Sequence, residues 1–278
     1  MKKIAVLGSS GQIGSHLVEY LNNNGHNAIG YDWVIGDNTT HKRNLGNISH
    51  FNKDTIHDYD FVFFLSFDVG GSRYLKKYQG TYEFIDNNVR LMSNVFEALK
   101  CTKVPVIFTS SQMSNMTYSP YGLLKSLGEL YTKTLNGITV KFWNVYGIEH
   151  DLEKSHVITD FILKAKNDKE IDMLTDGTEV RQFLYADDCC ECLEQLMLKY
   201  DDIDRDAPLH ITNFKWNSIL EVAEEIASHF PGCKVSPSDI KDMVQRDKRN
   251  EPDEYIKRFW NPTTSLADGI KKIVNFYE

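Results

Sequence analysis

"IAVLGSSGQIGSHLVEYLNNNG", residues 4–25, runs from a continuous apolar stretch through three glycines into an amphipathic one. Ile4 to Leu7 show no polar alternation, the pattern of a strand buried on both faces. Beyond Gly8, Gly11 and Gly14 the apolar positions Ile13, Leu17, Val18 and Leu21 fall on one helical face, and Gly25 supplies a stop. In that setting the glycines permit a tight turn, let backbone approach a pyrophosphate and pack helix closely on strand. The helix N-terminus then faces the phosphates.

The next strand, "AIGYD" at 28–32, ends in Asp32, eighteen residues after Gly14. A carboxylate there accepts hydrogen bonds from the adenosine ribose hydroxyls. The variable positions of the turn, Ser9, Ser10, Gln12 and Ile13, include no arginine, and a 2'-phosphate would meet like-charge repulsion at Asp32. The cofactor expected is therefore NAD rather than NADP.

Outward from this turn, short apolar runs alternate with helical stretches: "NAIGYD", "DFVFFLS", "VPVIFTSS" and "GITVKFWN". That rhythm predicts an α/β fold, a Rossmann-type doubly wound parallel sheet covered by helices. After Asn144 the rhythm breaks, returns once at "LHITN" (209–213) and ends in helices. We expect a NAD-binding domain from 1–144 and 184–213, and a smaller C-terminal α/β substrate lobe from 145–183 and 214–278.

The chain of 278 residues is 41% hydrophobic and 25% charged, an ordinary globular balance. Its formal net charge of -8 argues against a nucleic-acid or anionic-membrane surface as main partner. Five cysteines, three of them in "DDCCEC" (187–192), suit reduced thiols in a cytoplasm better than a disulfide framework. That cluster lacks a second ligand pair, so no metal is expected. It reads instead as a helix start capped by Asp187 or Asp188. "MKK" opens the chain, but the apolar run after it is far too short for a signal peptide, and no later run is long enough to span a membrane.

"SPYGLLKSLGEL" (119–130) places Tyr121 and Lys125 four residues apart on one helical face, directly after the strand that delivers Ser110 and Ser111 to the cofactor edge. An ammonium beside a phenol stabilises the phenolate and lowers its pKa from about 10, toward what a general base needs. Ser111 can hold the substrate oxygen while Tyr121 takes its proton.

Glycine turn, ribose acid, serine and YxxxK together resemble the extended short-chain dehydrogenase/reductases, the NAD-dependent epimerase/dehydratase family that modifies nucleotide sugars. The likeness continues through "FLSFDVGG" (64–71), "YEFIDNNV" (82–89), "NVYG" (144–147), "RQFLYADD" (181–188) and "FWNPTTSLADGI" (259–270). It implies that Ser111, Tyr121 and Lys125 are catalytic. NAD contacts are implied for Gly8, Gly11, Gln12, Ile13, Gly14 and Asp32, and also for Asn44, Leu45, Leu65, Asn88 and Ser110, with Tyr121 and Lys125 shared. Sugar-nucleotide contacts are implied for Gly71, Ser111, Gln112, Asn144, His156 and Arg181. Arg249, or Arg246 in its place, would serve the nucleotide. The partners expected are a nucleotide-diphosphate sugar and a second copy of the chain, a homodimer, with no nucleic acid and no membrane.

Departures from the family pattern narrow the reaction. The 4,6-dehydratases carry Thr-Asp-Glu where this chain has Ser111-Gln112-Met113, and a neutral amide and a thioether cannot move ring protons. GDP-fucose synthase-like 3,5-epimerase/reductases pair a cysteine at the Gln112 position with a distant histidine. "EKSHVITDFI" resembles the region of that histidine and has His156 in place, so one of the two groups is missing. Epimerisation at C4 through a transient 4-keto sugar is the reading these residues favour. A ketoreductase that consumes external cofactor is the alternative, and a redox-silent dinucleotide sensor is a third reading from a different class.

Overall fold

Ile4, Ala5, Val6 and Leu7 are fully buried because the strand they form, β1 (Lys3–Leu7), lies between parallel neighbours and beneath helices on both faces. The structure, a computed structural model, describes residues 1–242 and 250–277. The glycine turn leads into α1 (Gln12–Asn23), which buries Leu17, Val18 and Leu21 and stops where Gly25 adopts φ +79°. Strands β2 (Asn27–Asp32) and β3 (His41–Lys42) and a one-turn helix α2 (Lys53–Ile56) follow. Then come β4 (Phe61–Phe64), α3 (Ser72–Tyr78), α4 (Tyr82–Thr102), β5 (Val106–Ser111), α5 (Pro120–Thr134) and β6 (Ile138–Phe142).

From Asn144 onward the elements are shorter: β7 (Asn144–Tyr146), α6 (Val157–Asn167), β8 (Glu170–Asp172), β9 (Val180–Arg181), β10 (Phe183–Tyr185) and α7 (Ala186–Leu198). The last set is β11 (Leu209–Ile211), β12 (Asn217–Ser218), α8 (Ile219–Ser228), β13 (Lys234–Ser236) and α9 (Leu266–Tyr277).

The main sheet has seven parallel strands in the order β11-β6-β5-β4-β1-β2-β3, the Rossmann-type doubly wound arrangement. Two cores flank it. One packs α1 and α7 beneath Val6, Phe63 and Ile107, and the other packs α4 and α5 against Leu7, Phe64 and Phe108. The buried thiols of Cys189, Cys190 and Cys192 belong to the first core, where burial pushes each well above its ordinary range. A third core joins α6, α8 and α9 with Tyr146, Phe183 and Tyr185, beside the two-stranded pairs β7–β10, β9–β12 and β8–β13. Ile256 and Trp260, late in the chain, return to the first core.

One local expectation fails. Neither Asp187 nor Asp188 caps α7; the N-cap is Tyr185, in extended backbone, and both aspartates lie in the first turn. The helix begins two or three residues earlier because β10 runs directly into it. Asp188 accepts instead from the backbone N–H groups of Thr263 and Thr264 at 2.9 and 2.8 Å, tying the C-terminal segment to the main sheet. Among the described residues no helix is long and apolar enough to cross a membrane, and no group of three or more metal-ligating side chains converges.

Candidate active site

The carboxyl ends of β1, β2, β4 and β5 open on a cleft of about 800 Å³ that extends to β9 and to the loop before α6. At its floor Gly8 adopts φ +99° and lies so close to the chain after β4 that a Cβ would meet the Ser66 nitrogen at 2.7 Å. A Cβ on Gly14 would meet the Gly8 carbonyl oxygen at 1.9 Å, so α1 can pack against the turn only through glycine. Gly11 is different. Its missing Cβ would touch only Gly8 O, at 3.4 Å, and this face of the turn is open to a ligand. Nearby Gln12 Nε2 is buried with no hydrogen-bond partner, a donor suited to a phosphate oxygen. Asp32 is buried and accepts from Ser10 N at 3.0 Å and Val34 N at 3.2 Å, which fixes its carboxylate at the cleft wall. These features fit a dinucleotide.

Ile13, Asn44, Leu45, Leu65 and Ser110 all line the cleft. Asn88 is fully buried with its amide engaged: Oδ1 accepts from Asp68 N at 2.8 Å, and Nδ2 donates to Asp68 O and Phe84 O. It holds the loop after β4 in shape from behind.

β5 carries Ser111 to the cleft, and α5 follows with Ser119 as N-cap, accepting from Gly122 N, and Pro120 at its start. A Cβ on Gly122 would meet Met113 O at 2.3 Å, so this glycine lets the helix press on the turn after β5. The contact brings the Tyr121 hydroxyl close enough to the Ser111 side chain for the two to interact. Lys125, one helical turn on, donates to Thr109 O at 2.7 Å with its ammonium nitrogen 3.9 Å from the Phe67 ring centroid.

The electrostatics of this pair depart from expectation. Tyr121 is not lowered: burial pushes its phenol up to about 12, opposed only in part by the hydrogen bond to Ser111. Burial also lowers Lys125 to about 7, against the charge of Glu129. Both groups are buried, so desolvation of each charged form outweighs the mutual stabilisation that spacing alone suggested.

On the far side of the cleft Asn144 Nδ2 donates to Gln182 O at 3.3 Å, and the Arg181 guanidinium pairs with Asp242 while donating to Val180 O. Arg181 thus faces the cleft with a carboxylate on it. Gly71 packs against the loop before α6, where a Cβ would meet Ser155 O at 2.2 Å. The Gln112 side-chain oxygen accepts from Asn250 at 2.6 Å, as does its backbone carbonyl. Arg246 and Arg249 lie outside the described residues.

Some lining residues, Glu149, Asp68 and Arg43 among them, are not singled out by the sequence, whereas His156 is. His156 Nδ1 lies 2.6 Å from Glu149 Oε1, and Glu149 Oε2 accepts from His156 N. The residues are seven apart in an irregular loop, a separation with no periodic meaning. Asp68 accepts from Tyr74 Oη at 2.6 Å and pairs with Lys154 at 3.3 Å, bridging the two sides of the cleft. Arg43, whose N–H donates to Asp32 O, also lines the cofactor end.

The model of the NAD-dependent epimerase/dehydratase family matches residues 4–211. A putative UDP-glucose 4-epimerase of Methanocaldococcus jannaschii is 26% identical over 98% of this chain and 97% of its own length. GDP-mannose 3,5-epimerase 1 of rice (Oryza sativa subsp. indica) is 26% identical over 97% of this chain and 80% of its own length. Among solved structures, the UDP-glucose 4-epimerase of Thermotoga maritima, determined with UDP-glucose, superposes with a TM-score of 0.81 at 18% identity, covering 99% of this chain and 98% of its own. With the family's glycine turn, ribose acid and Ser-Tyr-Lys set all facing one cleft, this chain belongs to the NAD-dependent epimerase/dehydratase family and is an enzyme whose cofactor is NAD.

Proposed function

We propose that the enzyme epimerises a nucleotide-diphosphate sugar at C4 through a transient 4-keto intermediate. The observation that carries the reading is the convergence of Ser111, Tyr121 and Lys125 at one point of the cleft, while Gln112, beside Ser111, is a neutral amide engaged by Asn250. The position that would supply a second proton-transfer group is therefore chemically inert. Ser111 holds the C4 oxygen, and Tyr121 receives its proton and later returns it, its phenolate depending on the Lys125 ammonium because burial alone opposes that form. NAD, when bound, supplies the acceptor for the C4 hydride and its return to the opposite face. Glycines 8, 11 and 14, Gln12 and Asp32 would hold that cofactor. Arg181 and Asn144 would hold the substrate diphosphate, Arg181 through a bidentate contact in exchange for Asp242.

A second reading has its own observation. The Glu149–His156 pair lines the same cleft, and burial is outweighed there by the His156 contacts, which hold the Glu149 carboxyl below its usual range. A histidine oriented by a buried carboxylate can move a proton at C3 or C5 of a 4-keto sugar. Turnover of UDP- and GDP-hexoses in deuterated water separates the readings. A C4 epimer free of deuterium supports direct return; deuterium at C3 or C5 shows a ring-proton transfer by His156 or another acid of the cleft. Product formed only with stoichiometric reduced cofactor indicates a ketoreductase, and no turnover at all would leave the sensor reading.

We propose the domain division at 1–144 with 184–213 and 145–183 with 214–278, supported by the separate core around α6, α8 and α9. A homodimer is supported by apolar side chains left exposed on the outer faces of α4 and α5, Ile85 and Val89 on one and Leu123 and Leu130 on the other.

A further inference from the structure

Tyr121, Lys125 and Glu129 follow one another at four-residue spacing along α5, so the helix presents three titratable groups in a row. The third reaches behind the site. Glu129 Oε1 accepts from Ser110 Oγ at 2.5 Å, and Glu129 Oε2 lies 3.4 Å from Lys141 Nζ, which in turn donates to Ser114 Oγ at 3.0 Å. Ser110 and Ser114 bracket the turn that presents Ser111 and Gln112, and both are buried. One carboxylate therefore joins the helix that carries Tyr121 and Lys125 to the strand end that carries Ser111.

We propose that Glu129 is a positioning residue for the reaction: its carboxylate fixes the Ser111 turn against α5 and supplies the negative charge that keeps Lys125 an ammonium. The need for it is visible in the surroundings of Lys125. Phe67 and Phe108 face it from β4's loop and from β5, the Thr109 carbonyl accepts from it, and Tyr121 stands a turn away on the same helix. Burial drives such a lysine toward the neutral amine, and Glu129 is the charge that acts against it. Asp68, on the same loop as Phe67, is engaged with Tyr74 and Lys154 instead. Lys141 on β6 faces Glu129 from the other side and partly offsets its charge, and His210 on β11 lies within electrostatic reach of it and of Asp253. A neutral Lys125 could not stabilise the Tyr121 phenolate, so the charge of Glu129 conditions the general base through an intermediary.

This inference rests on the Ser111-Tyr121-Lys125 reading, and its test separates the two. In the full-length protein labelled with ¹³Cε-lysine, the Lys125 resonance is assigned by its loss in Lys125→Met, and its titration is followed without substrate. Glu129→Gln keeps an acceptor for Ser110 but removes the charge. The Lys125 midpoint is expected to fall by about one pH unit, and the kcat limb that depends on it to move acidward with it, a loss of about fivefold at the midpoint of the wild-type limb. KM for the sugar nucleotide stays within about twofold of wild type. Lys141→Met removes the opposing charge and moves the midpoint the other way, an independent check should Glu129→Gln fold poorly. A midpoint unmoved in both variants overturns the inference, even where melting temperature drops, because that result gives Glu129 a purely structural role. A shifted midpoint in a protein that turns over no nucleotide sugar upholds the electrostatic link and refutes the catalytic reading instead.

Discussion

Nδ1 of His156 stands 2.6 Å from Oε1 of Glu149, and the same carboxylate accepts from the His156 backbone N–H at 2.9 Å. Glu149 is buried, whereas 42% of the His156 side chain is exposed. The pair is thus a fixed carboxylate holding a ring that still reaches the cleft. Direct hydride return at C4 leaves His156 outside the chemistry, so His156→Ala is expected to retain kcat within about tenfold of wild type. Proton transfer at C3 or C5 would make the loss about 10² to 10⁴. Steady-state kinetics with the identified hexose decide between them.

The same carboxylate gives a stability prediction. Its folded-state pKa is depressed, so the stabilisation is present above the ordinary carboxyl range near 4.5 and is lost as pH falls through the lower folded value. Glu149→Gln is expected to cost about 1.5 to 3 kcal/mol at pH 7, with the gap to wild type narrowing below about pH 4.5. Urea unfolding at pH 7 and in acid measures it.

Tyr121→Phe deletes the proton acceptor without touching the glycine turn. Turnover should fall by about 10² to 10⁴ with NAD affinity unchanged. A variant within about tenfold of wild type would contradict the general-base role.

Lys125 carries a cost of burial in the protein without ligands. Its pKa drops from 10.5 to about 7 on folding, so between those values the unfolded chain binds more protons and stability rises with pH. Lys125→Met is expected to stabilise that form by on the order of 3 to 5 kcal/mol at pH 7 and below, a gain that vanishes above about pH 10.5. It should abolish turnover at the same time. Denaturation curves of both proteins across pH 7 to 10.5 check the sign, and a destabilised variant at pH 7 would refute it.

Arg181 and Asp242 test the substrate end. Arg181→Ala should weaken binding of nucleoside diphosphates by about 1.5 to 3 kcal/mol while sparing NAD, and Asp242→Asn should strengthen it by removing the competing carboxylate. Calorimetry with a panel of uridine, guanosine, cytidine and thymidine diphosphates reads both effects and identifies the base. Equal losses for both ligands would make Arg181 structural.

The residue order of this chain determined its strands, the glycine turn, the placement of Asp32 and the Tyr121–Lys125 face, because each depends on interactions within about twenty residues: periodicity, backbone freedom at Gly8 and Gly14, and one helical repeat. Tertiary structure decided what those groups experience. Lys125 is packed against Phe67 from the loop after β4 and Phe108 from β5, so burial sets its charge and that of Tyr121 where spacing alone pointed the opposite way. Asp188 left its expected cap to bind Thr263 and Thr264, some seventy-five residues on. Glu149 meets His156 through the path of an irregular loop, and Glu129 meets Ser110 and Lys141 through the packing of α5 against β5 and β6; neither follows from a periodic spacing. Periodicity is a local property of the backbone, whereas desolvation and charge pairing belong to the packed whole.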